Sequence, residues 1–149
     1  MTRDYDKLAQ LMPSGLSRDA AMQAFVDLTW QHLHPTGVSW IGFYLHEGRD
    51  ELILGPRRDK PACSPIGLHG ACGRAFTTRS SLIVRDVADL GPNYIACDPR
   101  DRSEVVLPCV HADGNCWGVL DADSHELAAF DETDVDGLRK LLVIAGLTI

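Results

Sequence analysis

The stretch GVSWIGFYL, residues 37–45, decides how the rest of the chain must be arranged. It is rich in β-branched and aromatic residues and is too short for a helix between Pro35 and Gly48, so we predict a strand. Because side chains alternate along a strand, Trp40 and Tyr44 share one face with Gly42 between them. A glycine in mid-strand often marks the close approach of another group. The two aromatic rings can therefore either wall a small apolar slot or pack in the ordinary way against a helix, and the spacing alone leaves both open.

Two amphipathic helices are predicted near the ends of the chain. Ser17 can cap the first, whose apolar positions recur with helical spacing over residues 22–33 until Pro35 ends it. Asp131 can cap the second, which has an apolar face over residues 135–145. Each helix therefore has one apolar stripe to bury.

Further short elements fill the middle of the chain. Besides the first strand, the expected strands are residues 51–54, 82–84, 104–111 and 116–123. Residues 70–77 can form a short helix, and Asp113-Gly114 is a strong hairpin dipeptide between the last two strands. The polar stretch 86–102 is read as a long loop, and such loops tend to carry function. This order predicts an α+β domain with antiparallel neighbours.

Size and charge narrow the possible functions. The chain has 149 residues, enough for one domain, and 45% of them are hydrophobic. Its formal charge is −7 and no Lys/Arg run exceeds Arg57-Arg58, so we expect no nucleic-acid partner. The apolar runs are too short for a membrane span and the first residues lack the pattern of a signal peptide. A cytoplasmic protein without a membrane partner is expected.

Five cysteines in such a chain argue against a structural disulfide framework. Cys97 lies in the long loop, where a thiol can be exposed and reactive. Cys63 and Cys72 lie in Gly/Pro-rich segments, whereas Cys109 and Cys116 flank the hairpin among apolar residues and are predicted to pack. Three thiols in loops or at a helix start permit a cycle in which one thiolate attacks an oxidised substrate and another resolves the sulfenic acid as a disulfide. No CxxC or HxxxH pair gives zinc spacing, so no metal is expected.

Two carboxylates end the last predicted strand. Asp121 and Asp123 are two residues apart and therefore share a face. Such like charges are stable together if they are solvated, or if a substrate ammonium, an arginine or a metal lies between them. A solvated strand end and a cation-binding site are both open at this point.

Six short segments in a fixed order match those of a known family. They are SWIGFYL at 39–45, LGP at 54–56 with KPAC at 60–63, GACG at 70–73, IACD at 95–98, SE at 103–104 and GVLDADS at 118–124. The set resembles the free methionine-(R)-sulfoxide reductases, which are single GAF domains. The likeness covers about residues 17–142, and we predict one GAF domain over residues 1–149. The family implies a central antiparallel sheet of about six strands, with the terminal helices packed on one face and the ligand pocket on the other.

The resemblance also implies roles for eight residues. Cys97 would be the nucleophile, with Cys63 and Cys72 as resolving thiols. The substrate-binding residues would be Trp40, Tyr44, Glu104, Asp121 and Asp123. Without the resemblance, Glu104 would be read as a solvated strand start. Which of the two thiols resolves and which carboxyl donates a proton are left open.

The implied reaction is the reduction of free L-methionine-(R)-sulfoxide to L-methionine. Cys97 would attack the sulfoxide, and its sulfenic acid would form an intramolecular disulfide that thioredoxin reduces. No metal or organic cofactor is required, and a homodimer is left open. GAF domains also serve as small-ligand sensors, and fold alone cannot separate these uses. A sensor module and a thiol redox switch without turnover are therefore the alternatives.

Overall fold

A computed structural model describes residues 2–59, 62–94 and 97–149 of the chain. Two pairs of residues from the family-like segments lie outside the described residues: Lys60 with Pro61, and Ile95 with Ala96. The cysteines of the same two segments, Cys63 and Cys97, are described.

The centre of the molecule is one six-stranded sheet. Its strands are β1 (Val38–His46), β2 (Glu51–Arg58), β3 (Ile66–Gly67), β4 (Leu82–Val84), β5 (Ser103–Val110) and β6 (Cys116–Ser124). The order across the sheet is β3-β2-β1-β6-β5-β4, and each neighbouring pair is antiparallel. The predicted α+β fold with a central antiparallel sheet of about six strands is confirmed.

Four α-helices accompany the sheet: α1 (Tyr5–Leu11), α2 (Arg18–Leu33), α3 (Ala71–Thr78) and α4 (Glu132–Ile144). Both predicted N-caps are confirmed. The Ser17 hydroxyl accepts from the Ala20 N–H, and the Asp131 carboxylate accepts from the N–H groups of Thr133 and Asp134. Part of the long polar stretch, Val87–Asn93, forms 3₁₀ turns rather than an open loop.

The main hydrophobic core lies between the sheet and the terminal helices. Phe25 of α2 packs edge to face on Phe43 of β1, with ring centroids 5.5 Å apart. Leu120 of β6 and Leu141 of α4 are fully buried in the same cluster. The prediction that the terminal helices share one face of the sheet is therefore correct, and the other face is left for a cavity.

Three elements differ from the sequence prediction. Helix α1 was not expected, and it docks through Tyr5, whose hydroxyl donates to Asp134 on α4 at 2.6 Å. Strand β2 extends to Arg58 instead of ending at residue 54, and β3 pairs with its beginning. These additions depend on partners far away in the chain, which local patterns do not reveal. Among the described residues, no helix has the length and apolar character that a membrane crossing requires.

Candidate active site

A cavity of about 420 Å³ opens on the face of the sheet opposite the terminal helices. Strands β1, β5 and β6 form its floor, and α3 closes one side with Ala71 and Cys72. Ile66 and Leu90 add apolar walls. The described part of the segment that follows the 3₁₀ turns, including residues 97–101, covers the mouth. A cavity of this size fits an amino acid.

Two aromatic rings wall the cavity at the centre of β1. Trp40 and Tyr44 are both nearly fully buried, and their ring centroids are 6.0 Å apart. A Cβ built on Gly42 would lie 2.5 Å from Cη2 of Trp40, so only glycine lets the indole fold over the strand. The predicted close approach at Gly42 is confirmed. The Tyr44 hydroxyl also donates to the carbonyl of Cys63 at 2.9 Å, which ties the β1 wall to a cysteine segment.

Three carboxyl groups lie together on the cavity floor. The antiparallel register places Glu104 opposite Asp123, and Asp121 lies between Gly42 and Val106 on the neighbouring strands. Asp121 is only 4% exposed, and its Oδ1 atom has no hydrogen-bond partner among the described residues. A solvated strand end is therefore the wrong interpretation for Asp121.

Burial controls the protonation of this carboxyl cluster. It raises the pKa of Asp121 and Asp123 well above the usual value, and repulsion from the neighbouring carboxylates raises both further. Burial also raises the pKa of Glu104, although hydrogen bonds from Asp121 and Asp123 oppose that shift. The raised pKa values favour the protonated form of the cluster, which can then supply a proton to a bound ligand.

The structure joins two of the three predicted redox cysteines. Cys63 and Cys97 form a disulfide that links segments 34 residues apart in sequence, with Cα atoms separated by 5.5 Å. Cys97 lines the cavity. This is the oxidised form of the cysteine pair.

The other cysteines are free. Cys72 is buried on α3, and its sulfur lies within 4.8 Å of carboxylate oxygens of Glu104 and Asp121. Burial and then the charge of Asp121 raise the pKa of the Cys72 thiol. Cys109 is fully buried in the main core, as predicted for a packing residue, whereas Cys116 is only half-buried.

A second polar group at the mouth was not predicted from the sequence. Arg100 donates to both carboxylate oxygens of Asp98, from Nε at 3.0 Å and from Nη2 at 3.1 Å. His125 Nε2 lies 3.3 Å from Asp98 and 3.6 Å from Asp101. The Ser39 hydroxyl donates to Asp101 at 3.4 Å. The loop position of Asp98 and Arg100, beside Cys97, is the one sequence signal that could have indicated them.

Two sets of side chains at the cavity have donor atoms close enough together to hold a cation. One set is Cys72 with Glu104 and Asp121, and the other is Asp98 with Asp101 and His125. The raised pKa values of the first group favour protons over a metal ion. In the second group, the carboxylate of Asp98 is already paired with Arg100.

The sheet carries the terminal helices on one face and the cavity on the other, and the cavity is lined by one cysteine of a disulfide pair. This arrangement is that of an α+β domain with a site for a small molecule. Residues 15–149 match the model of the GAF domain family. The chain therefore belongs to the GAF domain family.

Two relatives of known name are similar to this chain. The chain is 38% identical to the free methionine-R-sulfoxide reductase of Escherichia coli over 144 residues, which are 95% of this chain and 82% of the relative. It is 41% identical to the Saccharomyces cerevisiae protein of the same name over 107 residues, 70% of this chain. This match spans 59% of the yeast protein, which is less than two thirds of its length.

A solved structure is similar over nearly the whole chain. The free methionine-R-sulfoxide reductase of Neisseria meningitidis, solved in complex with its substrate, superposes with a TM-score of 0.81 at 37% identity. The superposition covers 94% of this chain and 82% of that one.

Proposed function

We propose that this protein reduces free L-methionine-(R)-sulfoxide to L-methionine with Cys97 as the nucleophile. The observation that carries the proposal is the position of Cys97: it lines a cavity with an aromatic wall and a floor of carboxyl groups, and it is already paired with a second cysteine. The relatives named as free methionine-R-sulfoxide reductases support the same reaction.

In the first step, the Cys97 thiolate attacks the sulfoxide sulfur while a carboxyl group donates a proton to the sulfoxide oxygen. The hydroxyl then passes from the substrate sulfur to the Cys97 sulfur as the S–O bond and the transient S–S bond break, so that Cys97 becomes a sulfenic acid and methionine leaves as the thioether. The sulfur of the substrate is reduced by two electrons and the cysteine sulfur is oxidised by two. Protonation is required because it makes the sulfoxide sulfur electrophilic and weakens the S–O bond that must break.

Asp121 is the carboxyl group that best suits the proton donor. Its Oδ1 atom is buried without a hydrogen-bond partner in the described part of the chain, and its pKa is raised by burial. A neutral carboxyl with an unpartnered oxygen gains a hydrogen-bond partner when the sulfoxide binds. The charges of Glu104 and Asp123 keep that pKa high.

The rest of the cavity fits the remaining groups of the substrate. Trp40 and Tyr44 offer π faces to the S-methyl group, which packs well on aromatic rings. The carboxylates that are not acting as proton donor attract the ammonium of a free amino acid. A methionine inside a peptide has an amide nitrogen there and lacks this contact.

Cys63 is proposed as the first resolving thiol, because it is the cysteine bonded to Cys97. Its thiol condenses with the Cys97 sulfenic acid, which forms the disulfide and releases water. Cys72, whose raised pKa disfavours the thiolate, remains available as a second thiol near the same cavity. An external dithiol, thioredoxin in a cytoplasmic setting, would then reduce the disulfide.

The test is to supply dithiothreitol and each epimer of free methionine sulfoxide and to measure methionine release. We expect turnover of the R epimer alone, its loss in Cys97→Ser, and its retention in Cys116→Ser, a matched thiol substitution outside the cavity. Undiminished turnover in Cys97→Ser would overturn the assignment of the nucleophile. A wild-type protein that forms the disulfide with peroxide but releases no methionine would instead favour a redox switch, and one that does neither would favour a sensor module.

A further inference from the structure

The proposed substrate is a zwitterion, and the proposed function assigns a partner to only one of its two charges. Five carboxyl groups line the cavity: Asp98, Asp101, Glu104, Asp121 and Asp123. Those that are ionised can attract the ammonium but repel the α-carboxylate of the amino acid. Transfer of that carboxylate into the cavity is costly unless a cation or another donor meets it.

Among the described residues that line the cavity, Arg100 carries the one guanidinium, and none is a lysine. Its side chain is 58% exposed, so it lies at the mouth and not on the floor. It is three residues after Cys97, on the segment that covers the cavity. A carboxylate that meets Arg100 therefore stays at the opening, on the same segment of chain that carries Cys97.

The guanidinium is held in place by its neighbours. Asp98 accepts from Nε and Nη2 of Arg100, which fixes one edge of the fork. Asp98 is held in turn by His125, whose Nε2 atom lies 3.3 Å from Asp98 Oδ2. His125 directly follows the end of β6. A guanidinium has five N–H donors, so three remain after the two bonds to Asp98. A planar fork positioned in this way suits a carboxylate ligand better than a mobile lysine would.

We propose that Arg100, oriented by Asp98 and His125 at the cavity mouth, binds the α-carboxylate of the substrate and so selects free methionine sulfoxide over forms with a blocked carboxyl group. This inference rests on the proposed function and names the specificity determinant of that site. It adds a carboxylate contact at the mouth to the ammonium contact expected from the carboxyl groups.

The test compares free methionine-(R)-sulfoxide with its C-terminal amide, which keeps the sulfoxide and the ammonium but lacks the carboxylate. Assays at a pH of about 6.5 keep the amino group of the amide charged, because α-amino pKa values lie near 8. We expect the wild type to prefer the acid in kcat/KM. In Arg100→Gln, kcat/KM for the acid should fall by about tenfold to a hundredfold, the range expected for a hydrogen bond to a charged group, while the value for the amide changes little.

Two further variants make the test specific. Arg100→Lys keeps the charge without the fork and should recover part of the preference for the acid. Arg102→Gln removes an exposed arginine two residues away that does not line the cavity, and it should behave as the wild type does. An Arg100→Gln protein with the wild-type ratio of acid to amide overturns the proposal, as does an equal loss for both compounds.

Failure of the proposed function gives a different result. In that case the wild type reduces neither compound, and the Arg100 assignment is decided by titration calorimetry of the acid and the amide. A preference for binding the acid that disappears in Arg100→Gln supports the carboxylate site without turnover. Binding that shows no preference, or no binding of either compound, overturns it.

Discussion

The two faces of the central sheet are built from the same strands but follow opposite rules. On the helix-covered face, Phe43 and Leu120 are fully buried among apolar neighbours. On the cavity face, Asp121 is almost as deeply buried, yet its Oδ1 atom has no hydrogen-bond partner in the described chain. The first face stabilises the fold, and the second keeps polar groups in an environment that raises their pKa. Leu120 and Asp121 are adjacent on β6, so neighbouring residues point to opposite faces, one into the hydrophobic core and the other into the cavity.

The largest effect is expected on the cavity face. Asp121→Asn keeps the shape of the side chain but cannot supply a proton, so kcat for reduction of free methionine-(R)-sulfoxide should fall by about 10²–10⁴-fold. The free energy of unfolding should change little, because an amide replaces a carboxyl group that lacks a hydrogen-bond partner at Oδ1. Steady-state kinetics and urea denaturation measure the two quantities. Asp136→Asn, an exposed carboxyl on α4, is the matched control, and an active Asp121→Asn enzyme would remove Asp121 from the role of proton donor.

The next effect belongs to the helix-covered face. Leu120→Ala leaves a cavity in the main core and should lower the free energy of unfolding by about 2–5 kcal/mol. The kcat of the molecules that remain folded should stay within about threefold of the wild type, since Leu120 does not line the cavity. The same substitution at Leu127, which is 45% exposed, should cost less than about 0.5 kcal/mol. Comparable losses at both leucines would contradict the division between the two faces.

The smallest effect concerns pH. Burial, followed by the charge of Asp98, raises the pKa of Asp101 to about 6. An unfolded aspartate titrates near 3.9, so between pH 4 and pH 6 the unfolded chain releases this proton before the folded protein does. The contribution of Asp101 to stability is therefore complete below about pH 4 and is lost as the pH rises through about 6. Urea denaturation at several pH values should show a shallower decline for Asp101→Asn than for the wild type, whereas parallel curves would exclude this linkage.

Much of the fold could be predicted because its signals are local. The period of two along β1 placed Trp40 and Tyr44 on one face, and the side chains of Ser17 and Asp131 marked where helices begin. The hairpin between β5 and β6 followed from Asp113-Gly114. Helix α1 and strand β3 were missed, because their stability depends on docking against distant parts of the chain.

The candidate site was predicted in part for the same reason. Asp121 and Asp123 could be assigned to one face from their spacing alone. Their burial could not, because it depends on α3 and the segment after the 3₁₀ turns covering that face. The network of Arg100, Asp98 and His125 was missed because His125 lies 27 residues from Asp98 in sequence.

The sequence by itself determined which side chains alternate along each strand, where the helices begin and which thiols lie outside the apolar elements. The tertiary structure decided which of these groups meet. The antiparallel register of β5 and β6 set Glu104 beside Asp123, and the chain path brought Cys63 to Cys97 across 34 residues. The physical reason is that backbone geometry and capping act over a few residues, whereas burial and pKa depend on what packs above a side chain in space.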